Sequence, residues 1–239
     1  MLKFFRNVRG SLLSDNQTGR YLKYAIGEVI LVTLGILLAL QVNNWNEGKN
    51  LKRKEYNLLL EVQQNLKRNL QTLNGELRME NRRLQTINNI IDDLQMNQEN
   101  DSLGQWIRVI GTPEQLNLTP SAYESIKSFG FDLIESQSLR NEIMLFFGTH
   151  YPTSKEIVTT FAADLLAKYS SYMIKYTTKV GGRITVRNYQ QLRSDQDFLS
   201  LLYLRQDFKK NGYTYHNKSL SRACEQLLDQ IDRELASFN

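Results

Sequence analysis

Several residue types that build catalytic and metal sites are scarce in this 239-residue chain. It has one cysteine, two histidines and three prolines. Cys224 has no second cysteine with which to form an internal disulfide, so cysteine usage does not indicate a redox compartment. His150 and His216 lie far apart and belong to no Cys, His or Asp pattern at metal-ligand spacing. The sequence therefore indicates no metal site and no disulfide framework.

The common nucleotide-binding and nucleophile motifs are also missing. The chain contains no Gly-x-Gly-x-x-Gly, no phosphate-binding loop and no Gly-x-Ser-x-Gly. Gly181-Gly182 fits a chain turn better than a phosphate cradle. Tyr169, Tyr172 and Tyr176 recur at helical spacing, which favours packing over a ligand-stacking face. We expect no catalytic residue, no cofactor and no enzymatic activity.

Positive charge is concentrated in the first quarter of the chain. The net charge is +5. Residues 1–54 carry nine Lys/Arg and three Asp/Glu, whereas the remainder carries 21 basic and 22 acidic side chains. The basic excess flanks an apolar stretch, where anionic lipid attracts it. This distribution disfavours a basic groove for nucleic acid.

One long apolar run lies within this basic region. Residues 24–42 would form a helix of roughly 28 Å, close to the hydrocarbon thickness of a bilayer. Thr33 is the only polar side chain among residues 29–40, and its hydroxyl can bond back to a helix carbonyl. A transmembrane helix in a lipid bilayer is the favoured interpretation, and a buried core helix is the alternative.

Four residues form the predicted membrane-interface and helix-association set. Glu28, Gly35 and Ala39 share one helix face, and Gly35-x-x-x-Ala39 lets two helices approach closely, which favours a homo-oligomer. Glu28 is either an intramembrane carboxylate with a partner or a first-turn acid near the headgroups. Trp45 suits the membrane interface, and the polar residues around it suit a water-facing exit or a bend.

The N-terminal 23 residues predict the orientation of this span. Phe4, Phe5, Val8 and Leu12 lie on one side of a short helix whose other side is basic, which suits the inner leaflet. Five Lys/Arg precede the span and four follow it closely, so flanking charge alone is nearly balanced. No small-x-small cleavage site follows the apolar run. We expect a cytoplasmic N-terminus and an extracytoplasmic C-terminal domain.

A longer signature surrounds the apolar run. It reads Tyr24-Ala-Ile-Gly-Glu-Val-Ile-Leu-Val32, then Gly35-Ile-Leu-Leu-Ala-Leu-Gln-Val-Asn-Asn-Trp-Asn46. With the opening Lys3-Phe-Phe-Arg6, this stretch resembles the N-terminal signature of a family of uncharacterised bacterial single-span membrane proteins. The resemblance implies a protein of the bacterial cytoplasmic membrane. That family has no assigned activity, so the resemblance implies no catalytic residue.

A heptad pattern follows the basic region. The a positions hold Tyr56, Gln63, Leu70, Leu77, Leu84 and Ile91. The d positions hold Leu59, Leu66, Leu73, Glu80, Ile87 and Leu94. Such a seam packs against a partner helix. The partner is either a second copy in a parallel coiled coil or a helix of the same chain, and we favour the latter.

The middle of the chain predicts a bend-rich cap. All three prolines, Pro113, Pro120 and Pro152, lie within it. Helices are expected at residues 121–129, 139–151 and 152–179, with Thr119 and Pro120 at the start of the first. Residues 183–187 alternate like a short strand, and residues 105–110 are the expected partner strand.

A final long helix is predicted from Ser194-Asp195 to about residue 237, with a defect at Gly212. Its roughly 43 residues would span about 65 Å, nearly the length of a helix over residues 54–98. Two long helices of equal length suggest an antiparallel pair. Leu235 would then return to the neighbourhood of Tyr56.

The predicted protein is all-α, with a transmembrane helix and a helical bundle. Its parts are a basic amphipathic cytoplasmic segment (1–23), the span (24–42), a juxtamembrane linker (43–54) and a soluble domain (55–239). The favoured function is a non-enzymatic scaffold or subunit of a bacterial envelope complex, anchored in the inner membrane beside an envelope protein partner. The alternatives are an extracytoplasmic sensor or ligand-binding domain acting through another membrane protein, and a hydrolase with an unrecognised site.

Overall fold

A computed structural model describes residues 18–238, apart from the side chains of Thr18, Arg20 and Tyr21. Most of the predicted amphipathic segment, residues 1–17, lies outside the described residues. The chain divides between Lys54 and Glu55 into two units, unit 1 before this point and unit 2 after it. Helices make up nearly all of the described chain, together with one two-stranded sheet. The predicted all-α class is confirmed.

Helix α1 runs from Thr18 to Met96. It therefore includes the predicted span, and residues 43–54, predicted as a linker, are also helical. The helix ends where the sequence predicts, because Asn97 adopts a left-handed conformation with φ of 55°. Asparagine tolerates that conformation at a helix C-terminus better than most residues do.

Three short helices form the cap of unit 2. They are α2 (Leu103–Ile110), α3 (Ser121–Phe129) and α4 (Gln137–Leu145). The expectation of a strand at residues 105–110 is wrong. Leu103, Ile107 and Ile110 are buried at offsets of four and three, which is the period of a helix rather than of a strand.

The next helix, α5 (Tyr151–Tyr176), continues from α4 through a π-helical turn at Phe146–His150. The two helices predicted on either side of Pro152 are thus joined. Proline lacks the amide hydrogen that would bond to the carbonyl four residues earlier, and its ring crowds that carbonyl. A wide turn just before Pro152 relieves this conflict without ending the helix.

A hairpin follows α5. Strand β1 (Thr177–Val180) pairs antiparallel with β2 (Arg183–Val186), with Thr177 opposite Val186 and Val180 opposite Arg183. Gly181 and Gly182 make the turn with φ of 55° and 84°, values that favour glycine in a two-residue hairpin loop. The predicted strand at 183–187 is confirmed, but its partner is the segment before it.

The C-terminal region contains α6 (Tyr189–Ser194), α7 (Gln196–Asp207) and α8 (Thr214–Ala236). A π-helical turn at Phe208–Tyr213 joins α7 to α8, which confirms the predicted defect at Gly212. A Cβ at Gly212 would lie 2.5 Å from the Phe208 ring. Asp195 caps α7 by accepting from the amides of Asp197 and Phe198, as the predicted helix start requires.

Within unit 2, α1 and the α7–α8 segment are antiparallel, as predicted. Side-chain contacts descend the C-terminal helices as they ascend α1: Gln63 with Asp232, Cys224 with Leu66, Asn217 with Leu73, Gln206 with Asn88, and Gln95 with Tyr203. At the near end, the rings of Tyr56 and Phe238 lie 5.5 Å apart. The expected return of the chain end to Tyr56 is therefore confirmed.

The d positions of the heptad pattern face the core. All six are buried, whereas five of the six a positions are only partly buried. The buried face extends instead to the g positions Val62, Asn69 and Ile90, which the heptad assignment left out. Asn69 is satisfied there by the backbone of Thr119, which donates at 2.9 Å and accepts at 3.0 Å. Leu66 and Leu73 pack wholly inside this chain's own bundle.

Candidate functional site

Unit 1 exposes an uninterrupted apolar surface. Nine large apolar side chains among residues 29–40 are each 53–74% exposed. By length and composition, α1 is the one helix of the described chain that could cross a membrane. Thr33 donates its hydroxyl to the Val29 carbonyl at 2.8 Å, so the only polar side chain of this stretch is satisfied inside the helix.

The helix brings three of the four predicted membrane residues onto one face. Glu28, Gly35 and Ala39 are separated by two turns and one turn of α1, and a Cβ at Gly35 would meet no atom within 4 Å. Trp45 lies roughly 100° around the helix from Glu28. Its ring carries the Lys49 ammonium 3.8 Å from the ring centre, a cation–π contact that helical spacing permits. The roles of these residues stay predictions.

A buried ionic network lies in the core of unit 2. It contains Glu80 on α1, Glu114 in the extended segment before α3, Arg205 on α7 and Lys209 in the following π-helical turn. All four side chains are at most 6% exposed. The two acids and two bases balance in charge, which is the condition for burying them.

Lys209 is the centre of this network. Its ammonium donates to Glu80 at 2.5 Å and also to Glu114. Arg83 reaches the other oxygen of Glu80 from the partly exposed surface of α1. The network therefore ties the first long helix, the cap and the C-terminal helix together at one point.

Arg205 completes the network with backbone contacts. One guanidinium nitrogen donates to the Ile110 carbonyl at 2.5 Å and to Glu114 at 3.3 Å. The Tyr169 ring lies 5.2 Å from the guanidinium carbon, and the Tyr169 hydroxyl donates to the Ile107 carbonyl. Burial raises the pKa of the Tyr169 hydroxyl, so this group stays a neutral donor. These contacts hold α2 against the bundle.

A second polar pair adjoins the network one turn away. The Tyr213 hydroxyl donates to Glu76 at 3.3 Å, and burial raises the pKa of both groups. For Glu76, the nearby Glu80 carboxylate also raises the pKa, while the hydrogen bond from Tyr213 lowers it. The effects of Tyr213 and Glu80 on the pKa of Glu76 are each smaller than the effect of burial. The Tyr213 hydroxyl also lies 3.3 Å from the Gln115 carbonyl oxygen, so this pair, like the network, contacts other protein groups.

Sequence reasoning missed most of this network. Glu80 is the one acid among the d positions, and an acid in an otherwise apolar seam is a signal of a buried base elsewhere. Arg205 and Lys209 are separated by one helical turn on a face that also carries Leu201, Leu202 and Phe208. That spacing offered the matching signal. Glu114 lies in an extended segment, where no period marks it as buried.

Cys224 and His216, a potential nucleophile and a potential base, do not form part of a catalytic cluster among the described residues. Cys224 is fully buried, and burial raises the pKa of its thiol to about 12. Nδ1 of His216 lies 3.3 Å from the Ser154 hydroxyl, and burial lowers the pKa of this histidine. Among the described residues, no three His, Cys, Asp or Glu side chains are placed to hold a metal ion.

His150 lines a surface groove between α4 and α8. The groove has a volume of about 320 Å³, and a neighbouring groove of about 410 Å³ shares Gln230 and Arg233 with it. Glu142 and Asp229 also line the first groove. Arg233 pairs with Asp229 at 2.9 Å, so the charges on this surface are partly matched already.

Comparison with known proteins gives one match. The model of a family described as "Family of unknown function (DUF6090)" matches residues 28–211. This range includes Gly35, Ala39 and Trp45 on α1 and every member of the buried ionic network. No curated protein and no solved structure matches the chain.

Proposed function

We propose that this chain, which belongs to the DUF6090 family of unknown function, is a membrane-anchored, non-enzymatic helical protein that acts as a scaffold or subunit of a bacterial envelope complex. The apolar part of α1 would be the anchor. Unit 2 would be the part that holds partner proteins. The observation that carries the proposal is the exposed apolar surface of residues 29–40.

The cost of leaving that surface in water supports an anchor. Burying one large apolar side chain contributes about 1.5–3 kcal/mol. Nine such side chains are each more than half exposed. Their transfer from water into a bilayer would contribute on the order of 10 kcal/mol. An α-helix also pairs its backbone N–H and C=O groups internally, which is necessary in lipid because no water is there to bind them.

The interior of unit 2 supports a structural rather than a catalytic role. Its buried charges bind one another, and Tyr169 and Tyr213 are held in their neutral forms by burial. A catalytic acid or base needs access to a substrate proton. The charged side chains of the ionic network are buried and pair with one another, so they are shielded from a substrate.

The orientation follows from the basic N-terminal segment and the resemblance to bacterial single-span proteins. The N-terminus would lie in the cytoplasm, and unit 2 outside the cytoplasmic membrane. The rest of the proposal, an envelope protein as partner, follows from this position.

Paired reporter fusions test the anchor and its direction. A reporter that is active only after export, fused after Asn239, should be active, and the same reporter at the N-terminus should not. The full chain should remain in the membrane fraction after alkaline carbonate extraction. Protease added to spheroplasts should digest unit 2, and full protection of unit 2 would overturn the orientation.

Co-purification tests the scaffold role. Cross-linking in native membranes, followed by solubilisation of the full chain, should recover a defined partner protein. Substitution of exposed residues of unit 2 should release that partner without unfolding the chain. Turnover of any substrate by the purified full chain would overturn the non-enzymatic assignment.

The groove beside His150 favours a second candidate, an extracytoplasmic sensor or ligand-binding domain. Its volume of about 320 Å³ falls in the range of small-molecule sites. A saturable rise of the thermal midpoint with a small polar ligand would support this candidate. The rise should be lost in Arg233→Ala, which lines the groove, and kept in Arg222→Ala, which does not.

A further inference from the structure

The hairpin of unit 2 lies in the most basic stretch of the bundle. Residues 165–194 contain six Lys/Arg and no Asp/Glu. The six are Lys168, Lys175, Lys179, Arg183, Arg187 and Arg193. This segment carries a local positive charge even though residues 55–239 as a whole have slightly more acids than bases.

Three of these cations are available to an outside partner. Lys175 is taken by Asp195, which accepts from its ammonium at 2.9 Å. Lys179, Arg183 and Arg187 are exposed, and none of them takes part in an ion pair with another described residue. Lys179 lies on β1 and Arg183 begins β2, whereas Arg187 follows β2 and donates its Nε hydrogen to the Thr177 carbonyl at 2.8 Å.

The hairpin also presents an apolar side chain at its tip. Val180 is 62% exposed and stands opposite Arg183 in the strand register, beside Lys179 in the chain. The following turn is made of Gly181 and Gly182, which add no side chains. The tip is therefore narrow, with a valine framed by two cations.

This tip belongs to the end of unit 2 that is remote from Glu55. The hairpin packs on α2 so closely that a Cβ at Gly104 would lie 2.3 Å from the Ile184 carbonyl oxygen. The Tyr189 hydroxyl, just after the hairpin, donates to the Asp93 carbonyl at 2.7 Å. Asp93 is 38 residues beyond Glu55 on the same helix, a rise of about 57 Å.

We propose that the hairpin tip is a docking element for an anionic lipid surface, with Lys179 and Arg183 binding headgroups and Val180 entering the acyl boundary. Each basic residue near an anionic membrane attracts it electrostatically, and a neighbouring apolar side chain adds a contribution that a purely ionic contact lacks. The narrow tip offers no concave lining of the kind that selects a protein side chain. Charge and apolar exposure therefore match lipid better than an acidic protein surface.

Liposome binding by the full chain tests this inference. The chain is placed in nanodiscs of phosphatidylcholine and mixed with liposomes of phosphatidylcholine alone or with phosphatidylglycerol, and co-sedimentation is measured. Binding should require phosphatidylglycerol. Lys179→Gln with Arg183→Gln should weaken it about 25-fold, since each cation contributes about five-fold. Val180→Thr, which keeps the size and branching of the side chain, should weaken it several-fold.

The matched control is Lys218→Gln with Arg222→Gln, two exposed cations one turn apart on α8. Binding by this variant should remain close to that of the unaltered chain, and equal loss would overturn the proposal in favour of general charge attraction. Absence of binding to either liposome would also overturn it. Loss in the charge variant without any loss in Val180→Thr would overturn the entry of Val180 into the acyl boundary, since the contact with the liposome would then be purely ionic.

Each variant must first show an unchanged thermal midpoint and helical circular dichroism. Incorporation of the chain into nanodiscs reports separately on the proposed anchor. Failure of the anchor would appear as failure to incorporate, whereas failure of the hairpin would appear as absent liposome binding by incorporated chains.

Discussion

The ammonium of Lys209 lies 2.5 Å from a carboxylate oxygen of Glu80, although the two residues are 129 positions apart and both are nearly fully buried. This contact joins the last third of α1 to the turn between α7 and α8. Glu80 occupies a d position. An apolar residue there would avoid the desolvation free energy that burying both Glu80 and Lys209 requires. A buried pair of this kind is weak evidence of added stability, and we expect its main effect to be on how the two long helices are aligned.

Removing one partner should expose the cost of an unpaired buried charge. Lys209→Met leaves Glu80 and Glu114 without their shared cation and should lower the free energy of unfolding by about 3–5 kcal/mol. Adding Glu80→Met removes the second charge and leaves the Glu114–Arg205 pair intact. The double variant should therefore recover part of the loss, as measured by chemical denaturation in a double-mutant cycle.

Lys210 supplies the matched control for this cycle. It is the next residue in the same turn, but its side chain is exposed. Lys210→Met should change the free energy of unfolding by no more than about 0.5 kcal/mol. Simple additivity of Lys209→Met and Glu80→Met would show that the two residues do not stabilise each other.

Asp195 should make part of the stability sensitive to acid. Burial acts to raise its pKa, but hydrogen bonds from Tyr176 and Lys175 outweigh this and lower the pKa from its ordinary value near 3.8 to about 2. A lowered pKa in the folded state stabilises the protein above pH 4, and this contribution is lost as the pH falls from about 4 to about 2. Because Lys175 is half exposed and screened by solvent, we expect about 1 kcal/mol.

Asp195→Asn isolates this contribution because asparagine also caps helices well. The variant should be about 1 kcal/mol less stable than the unaltered chain at pH 7. The difference should become small at pH 2, where Asp195 is about half protonated in the folded state and most of the contribution has been lost. A difference that stays constant from pH 7 to pH 2 would assign the effect to the helix cap rather than to the ionised carboxylate.

The long-range arrangement of unit 2 was predictable because periodicity and length carry it. Two amphipathic segments of equal length, separated by a proline-containing middle, predict an antiparallel pair, and contacts from Tyr56–Phe238 to Gln95–Tyr203 confirm it. It was harder to predict which positions of α1 besides the d positions would be buried. The sequence around Asn69 is typical of a surface position, and its burial is possible because the Thr119 backbone and the Asn65 side chain satisfy its amide.

Local errors arose where one pattern fits two structures. The expected strand at residues 105–110 is instead part of α2, because Leu103, Ile107 and Ile110 are buried at helical spacing, and Gly104 is the point at which α2 approaches Ile184 most closely. Pro152 predicts a helix boundary, but the π-helical turn before it lets the helix continue. No single residue in the sequence indicates that turn. The ionic network was hidden for a related reason, because Glu114 is buried by its partners rather than by its own sequence neighbours.

The contact between α2 and the hairpin should depend on Gly104. A Cβ there would lie 2.3 Å from the Ile184 carbonyl oxygen and 2.8 Å from the Thr185 Cα, and backbone atoms cannot rotate away. Gly104→Ala should therefore lower the free energy of unfolding by about 1–3 kcal/mol. Gly75→Ala is the control, since its nearest atom is 3.9 Å away on a flexible arginine, and it should stabilise α1 by about 0.5–1 kcal/mol. Equal effects of the two would contradict the close packing.

Self-association through the span can be tested without disturbing the fold. A side chain at Gly35 would meet no other atom of the chain, so Gly35→Ile should leave insertion and unit 2 unchanged. It should weaken a homo-oligomer that needs close approach along the face of Gly35 and Ala39, because an added side chain separates the helices.

Leu37→Phe provides the comparison for that substitution, since it adds bulk roughly 160° around the helix from Gly35. Cross-linking of the full chain in native membranes should give a dimer that Gly35→Ile reduces and Leu37→Phe retains. Contacts of this kind contribute about 1–2 kcal/mol or less, so the expected loss is about ten-fold in dimer affinity. Leu66 and Leu73 cannot compensate, because both are fully buried inside unit 2. A dimer that survives Gly35→Ile unchanged would assign association to another surface, and a chain that is monomeric before any substitution would contradict the prediction outright.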